Sequence, residues 1–164
     1  MAYLYKLQDG IIKPYNDKTI GGDSSVFGGL LMSVDAYTVC NPDVYKNMGF
    51  EYQQRLLDKV GCGYMHMHGF GLDMLLPLTA RLRNIKDYRL GRDLKAQENL
   101  PVESVPRMRE ILGEDKQIST YVSQDEFMAG IANRTLPFNA HYSCRADTSD
   151  TAKKMIGMAK DYHR

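Results

Sequence analysis

Short β-rich apolar segments alternate with segments of helical periodicity along most of this chain, and that alternation limits the folds open to it. Residues 64–68, 87–90, 117–122 and 138–143 have the length and composition of strands. Helices are expected between and after them. Asn41 and Pro42 open the first, as N-cap and first helical residue. Tyr45, Met48, Tyr52, Leu56 and Val60 then recur at helical spacing, and Gly61 ends it. Residues 72–82 form an apolar helix with Pro77 as a kink or restart. Pro101 opens a helix over 102–112, closed by Gly113. Ser123 caps a helix over 124–133, and Thr148 or Ser149 caps the last, which runs to Tyr162. An earlier strand over 23–31 runs into a glycine turn, and residues 1–22 form a hairpin or an irregular lead-in. Strand–helix alternation means parallel strands with helical crossovers, an α/β fold. An open doubly wound sheet fits the pattern. So does about half of a (β/α)8 barrel, which normally takes ~250 residues.

Composition restricts function more than fold. A chain of 164 residues with 43% hydrophobic and 25% charged residues is expected to be one globular domain. A formal net charge of +1, with Lys and Arg scattered, gives no footprint for nucleic acid or an anionic membrane. No apolar run approaches the ~20 residues that span a bilayer. The N-terminus lacks a signal-peptide core, so a cytoplasmic location is expected. Three cysteines do not make a disulfide framework.

The chemistry concentrates at His66-Met67-His68-Gly69. Alternate strand residues share a face, so the two imidazoles point the same way where glycines end the strand. In α/β folds ligands bind at the C-terminal ends of strands. A hydrogen-bonded pair of histidines would also fit. A metal or substrate site is the sharper reading. The N-terminal side of the chain offers Asp23, after Gly21-Gly22, and a later strand end offers Asp93. Each is a candidate catalytic carboxylate or histidine orienter, and each would serve equally as a turn cap. Arg92 would pair a substrate carboxylate or lie in solvent. Cys62 reads as core. Cys40 sits beside a helix start, where a thiolate would be stabilised, but packing is its simpler role. The exposure of His141 cannot be read, and His163 is expected in solvent.

Three segments together resemble the uroporphyrinogen decarboxylase superfamily, which includes cobalamin-dependent methyltransferases that methylate coenzyme M. Asn41-Pro42-Asp43-Val44-Tyr45 through Glu51-Tyr52-Gln53-Gln54-Arg55-Leu56-Leu57-Asp58 is similar to the helix preceding that family's "H-x-C-G" strand. His66-Met67-His68-Gly69 is similar to the strand itself. Tyr142-Ser143-Cys144-Arg145-Ala146-Asp147-Thr148-Ser149 is similar to the closing strand and turn. Leu90-Gly91-Arg92-Asp93 resembles a "G-x-D" strand ending. The resemblance runs from about Asp23 to the end and covers the C-terminal part of the family's (β/α)8 TIM barrel. It implies a single partial barrel domain over residues 1–164, with about four to five strand–helix units.

The methyltransferase branch implies zinc held by His66, His68 and Cys144, with His68 departing from the family's cysteine. It also implies transfer of a methyl group from a corrinoid, on a separate corrinoid protein, to a small-molecule thiol. The decarboxylase branch implies a metal-free carboxy-lyase instead. From another class, the chain would be a non-catalytic half barrel completed by its missing half or by a second copy of itself.

Overall fold

A computed structural model of the chain describes residues 29–92 and 101–162. The expected lead-in 1–22, most of the expected strand 23–31, and the candidates Asp23, Asp93 and His163 lie outside the described residues. The described chain is α/β, with a five-stranded parallel sheet in the order β1-β2-β3-β4-β5. The strands are β1 Leu30–Ser33, β2 Gly63–His68, β3 Ile85–Gly91, β4 Gln117–Val122 and β5 His141–Cys144. The main helices are α1 Phe50–Val60, α2 Leu72–Thr79, α3 Val105–Leu112, α4 Gln124–Ala132 and α5 Ser149–Tyr162. Strand order follows chain order with no reversal. A doubly wound sheet reverses direction at a switch point, so this topology departs from that alternative. No helix among the described residues is long and apolar enough to cross a membrane.

Two compact units divide the chain. The first includes residues 29–67 and 71–88. Its β1 pairs with β2 in parallel register, Leu30 opposite Gly63 and Ser33 opposite His66. This pairing fixes where β1 lies. The strand runs to Ser33, beyond the expected end at Leu31, because its partners continue to His66. Gly63 allows the close approach: a Cβ there would sit 2.5 Å from Leu57 Cδ2 and 2.8 Å from the Leu30 carbonyl oxygen. The Tyr64 hydroxyl accepts from the Gly29 amide.

Asn41 caps the next helical stretch by accepting from the Asp43 amide, with Pro42 at its start. That stretch is not uniform. One α-turn, Pro42–Val44, leads into a π-helical turn, Tyr45–Gly49, before α1 begins. Leu56, Leu57, Met65, Met67, Leu75 and Leu76 form the core of this unit, each no more than 3% exposed. Pro77 lies inside α2, which runs on to Thr79 instead of restarting. The helix ends three residues before the expected position. Leu82 then bonds the Thr79 carbonyl, and Asn84 adopts a left-handed φ of 67° that turns the chain into β3.

The second unit includes residues 68–70 and the described chain from Arg89 onward. Its helix after Pro101 begins as a 3-10 turn, Pro101–Ser104, and becomes α-helical only at Val105. Pro106 explains the delay: it has no N–H to continue a helix from 102, but is tolerated in a first turn. The Arg109 guanidinium donates to the carbonyls of Gly113, Lys116 and Asn139, tying the end of α3 to β4 and to the approach to β5. β4 and β5 pair in parallel, Val122 opposite Cys144. β5 is shorter than the expected 138–143 because Asn139 takes a left-handed φ of 60° and interrupts the extended chain.

Ser123 and Glu126 form a capping box at α4: the Ser123 hydroxyl accepts from the Glu126 amide, and the Glu126 carboxylate accepts from the Ser123 amide. Partial burial raises the Glu126 carboxyl. The Ser123 bonds and the Arg92 guanidinium outweigh it and hold the carboxyl below the usual range. A value depressed by folding stabilises the protein above the unfolded-state value of about 4.3, and that contribution is lost as pH falls through the folded value. Ser123→Ala is therefore expected to cost about 1 kcal/mol, read from urea midpoints. Glu126→Gln is expected to be less stable than wild type at neutral pH and to converge with it below about pH 4.

Candidate metal centre

β1 and β2 are neighbours, and three side chains able to ligate a metal lie at or just past their C-terminal ends. Ser33 is the last residue of β1 and lies beside His66. Two residues further on, Asp35 starts a short 3-10 turn, Asp35–Tyr37, and reaches back towards β2. His66 and His68 alternate with the buried Met65 and Met67, so both imidazoles emerge on the other face of the strand. The His66 Nε2 to Asp35 Oδ2 distance is 3.7 Å. One donor atom from each of Asp35, His66 and His68 lies within 4.8 Å of the others, and all three residues are partly buried.

Two hydroxyls hold the Asp35 backbone. Its amide donates to Ser33 Oγ at 3.1 Å, and its carbonyl accepts from Thr38 Oγ1 at 2.6 Å. Thr38 in turn fits against the turn that follows β2. A Cβ at Gly71, which has a φ of 79°, would meet Thr38 at 2.9 Å. The carboxylate is therefore carried on a short, internally bonded turn.

The donor set fits a divalent cation. Zinc bonds imidazole nitrogen and carboxylate oxygen at about 2.0–2.2 Å, which puts tetrahedral donors roughly 3.4 Å apart. The Asp35–His66 distance is already within a few tenths of an ångström of that. Two neutral imidazoles and one carboxylate would leave a bound Zn2+ with net positive charge and an open coordination position, as catalytic sites require.

The sequence pointed to His66 and His68 but not to Asp35. The available signal was the Leu30-Leu31-Met32 run followed by Ser33-Val34-Asp35, which is a strand with a carboxylate just beyond its end. A strand at 23–31 puts Asp23, not Asp35, in the candidate position. Cys144, the third expected ligand, is not a member of this group. It lies at the end of β5, in the second unit. Its side chain lines an apolar cavity of about 250 Å3 with Phe127, Met155 and Ile156. Burial pushes its thiol above the usual range, and the Glu126 and Asp147 carboxylates push it the same way.

The other candidates have local roles. Arg92 pairs with Glu126 at 2.7 Å. His141 is exposed, 3.1 Å from the Gln117 amide nitrogen. Cys40 Sγ lies 3.6 Å from the Ala36 carbonyl. Cys62 is partly buried against Gly29.

Comparison with family models, curated proteins and solved structures finds no match to this chain. Asp35→Asn is expected to weaken binding of added Zn2+ at least tenfold, and Cys144→Ser to leave it unchanged, by titration calorimetry of folded variants.

Proposed function

We propose that Asp35, His66 and His68 form a catalytic zinc centre, and that the chain is a methyltransferase-like segment of a uroporphyrinogen decarboxylase-type barrel. The observation that carries the metal reading is the convergence of two imidazoles and a carboxylate within 4.8 Å at adjacent strand ends. The sequential parallel strand order supports the barrel reading, because it is the order that barrel strands follow. The methyl-transfer chemistry rests on the motif resemblance.

When bound, zinc would lower the pKa of a thiol at its open position, the proton leaving to solvent; the thiolate sulfur would then take a methyl group from a corrinoid carried by another protein, the Co–C bond breaking with its electron pair left on cobalt. The protein's own residues supply the rest. His66 and His68 are held by strand pairing. Asp35 would neutralise one positive charge of a bound ion, as a cysteine thiolate would, but through oxygen.

That oxygen favours a second reading. Sites with only nitrogen and oxygen protein ligands commonly activate water. The same three residues would then hold a zinc that supplies water activation, for hydrolysis of a carbonyl or phosphoryl substrate.

Elemental analysis and activity assays test the proposal together. Wild type is expected to hold one zinc per chain, and His66→Ala to lose it while keeping its circular dichroism spectrum. With zinc present, methylcobalamin and added thiols are expected to give a thioether, followed by the cobalamin absorbance change. Folded wild type that neither contains nor takes up zinc would overturn the metal reading. Zinc without methyl transfer, but with hydrolysis of a test ester, would replace the first reaction with the second.

A further inference from the structure

Asp35 is supported from behind by a buried polar chain. Gln53, on α1, is 7% exposed. Its Nε2 donates to the Ser33 carbonyl at 3.1 Å, and its Oε1 accepts from the Tyr45 hydroxyl at 2.7 Å. Tyr45 is fully buried, packed edge-on against Tyr37 with ring centroids 5.0 Å apart. The Ser33 hydroxyl then accepts from the Asp35 amide. One connected path therefore runs from Tyr45 through Gln53 and Ser33 to the backbone amide of Asp35.

An ordinary helix would not build this path. Tyr45 and Gln53 are eight residues apart. In an α-helix that advance leaves the two side chains roughly 80° out of phase. The π-helical turn Tyr45–Gly49 takes in one extra residue, so the phase falls to about that of seven residues, some 20° from alignment. The distortion brings the phenol onto the amide. Gly49 makes room for it, since a Cβ there would sit 2.7 Å from the Tyr45 ring and 2.8 Å from Tyr37. Single π-turns inside helices are frequent at functional sites. A solvated surface helix would have no need of one here, nor of a glutamine amide buried behind a strand end.

We infer that Gln53, oriented by Tyr45, is a positioning residue that fixes the end of β1 so that Asp35 meets His66 and His68 in ligating geometry. This rests on the metal reading above. Gln53 lies on the path to the Asp35 backbone, so its loss would let the carboxylate swing before it disturbed the histidines, which are fixed in β2.

Cobalt substitution tests this, because Co2+ in a tetrahedral site reports its ligand set by its visible spectrum. The full chain and its Gln53→Met, Tyr45→Phe and Asp35→Asn variants would be titrated with Co2+ alone, with circular dichroism as the check on folding. Gln53→Met is expected to weaken Co2+ binding about tenfold or more, the usual effect of removing an outer partner. At saturating Co2+ its spectrum is expected to move towards that of Asp35→Asn. Tyr45→Phe is expected to shift both in the same direction by less, and it carries the test if Gln53→Met does not fold. A folded Gln53→Met with wild-type affinity and spectrum would overturn the inference, as would weakened binding with an unchanged spectrum, which marks a merely structural role. A Tyr45→Phe variant identical to wild type would overturn it where Gln53→Met is unfolded. Wild type that binds no Co2+ would instead bring down the metal reading itself.

Discussion

Register between β1 and β2 is the constraint on which the site depends. Side chains alternate along a strand, so a slip of one residue in β1 would turn its faces over and carry Asp35 away from the imidazoles. The register is held by more than ladder bonds. Gly63 lets β1 and Leu57 approach closely, the Tyr64 hydroxyl takes the Gly29 amide, and the Gln53 amide holds the last β1 carbonyl. Apolar packing of Met65 and Met67 on one face of β2 leaves the imidazoles on the other. The site is thus a by-product of how the core is buried, sharpened by a few polar contacts.

The strand–helix alternation was legible in the sequence because each element advertises its own period and its own stop residue. β2, β4 and the start of the helix at Asn41-Pro42 follow from local pattern alone. Boundaries set by backbone geometry were not legible. The π-turn has no compositional signature beyond a glycine, and the left-handed residues Asn84 and Asn139 end or delay strands that their hydrophobicity would extend. The strand order also lay beyond the sequence, since pairing is a non-local choice.

The site was half legible for a related reason. His66 and His68 are two apart on one strand, so periodicity is enough to bring them together. Asp35 joins them only because two strands separated by the helix at 42–60 pair in a particular register. Cys144 resembled a ligand by motif, yet its side chain lies among Phe127, Met155 and Ile156, where apolar contact and nearby carboxylates disfavour the thiolate.

The two strands at the ends of the sheet order, β1 and β5, are each four residues long, whereas the three between them have six or seven. An unpaired strand edge is a template on which other chains grow, and its reach scales with its length. Among the described residues, a segment laid against β1 or β5 would therefore find fewer backbone partners than one laid against β2, β3 or β4.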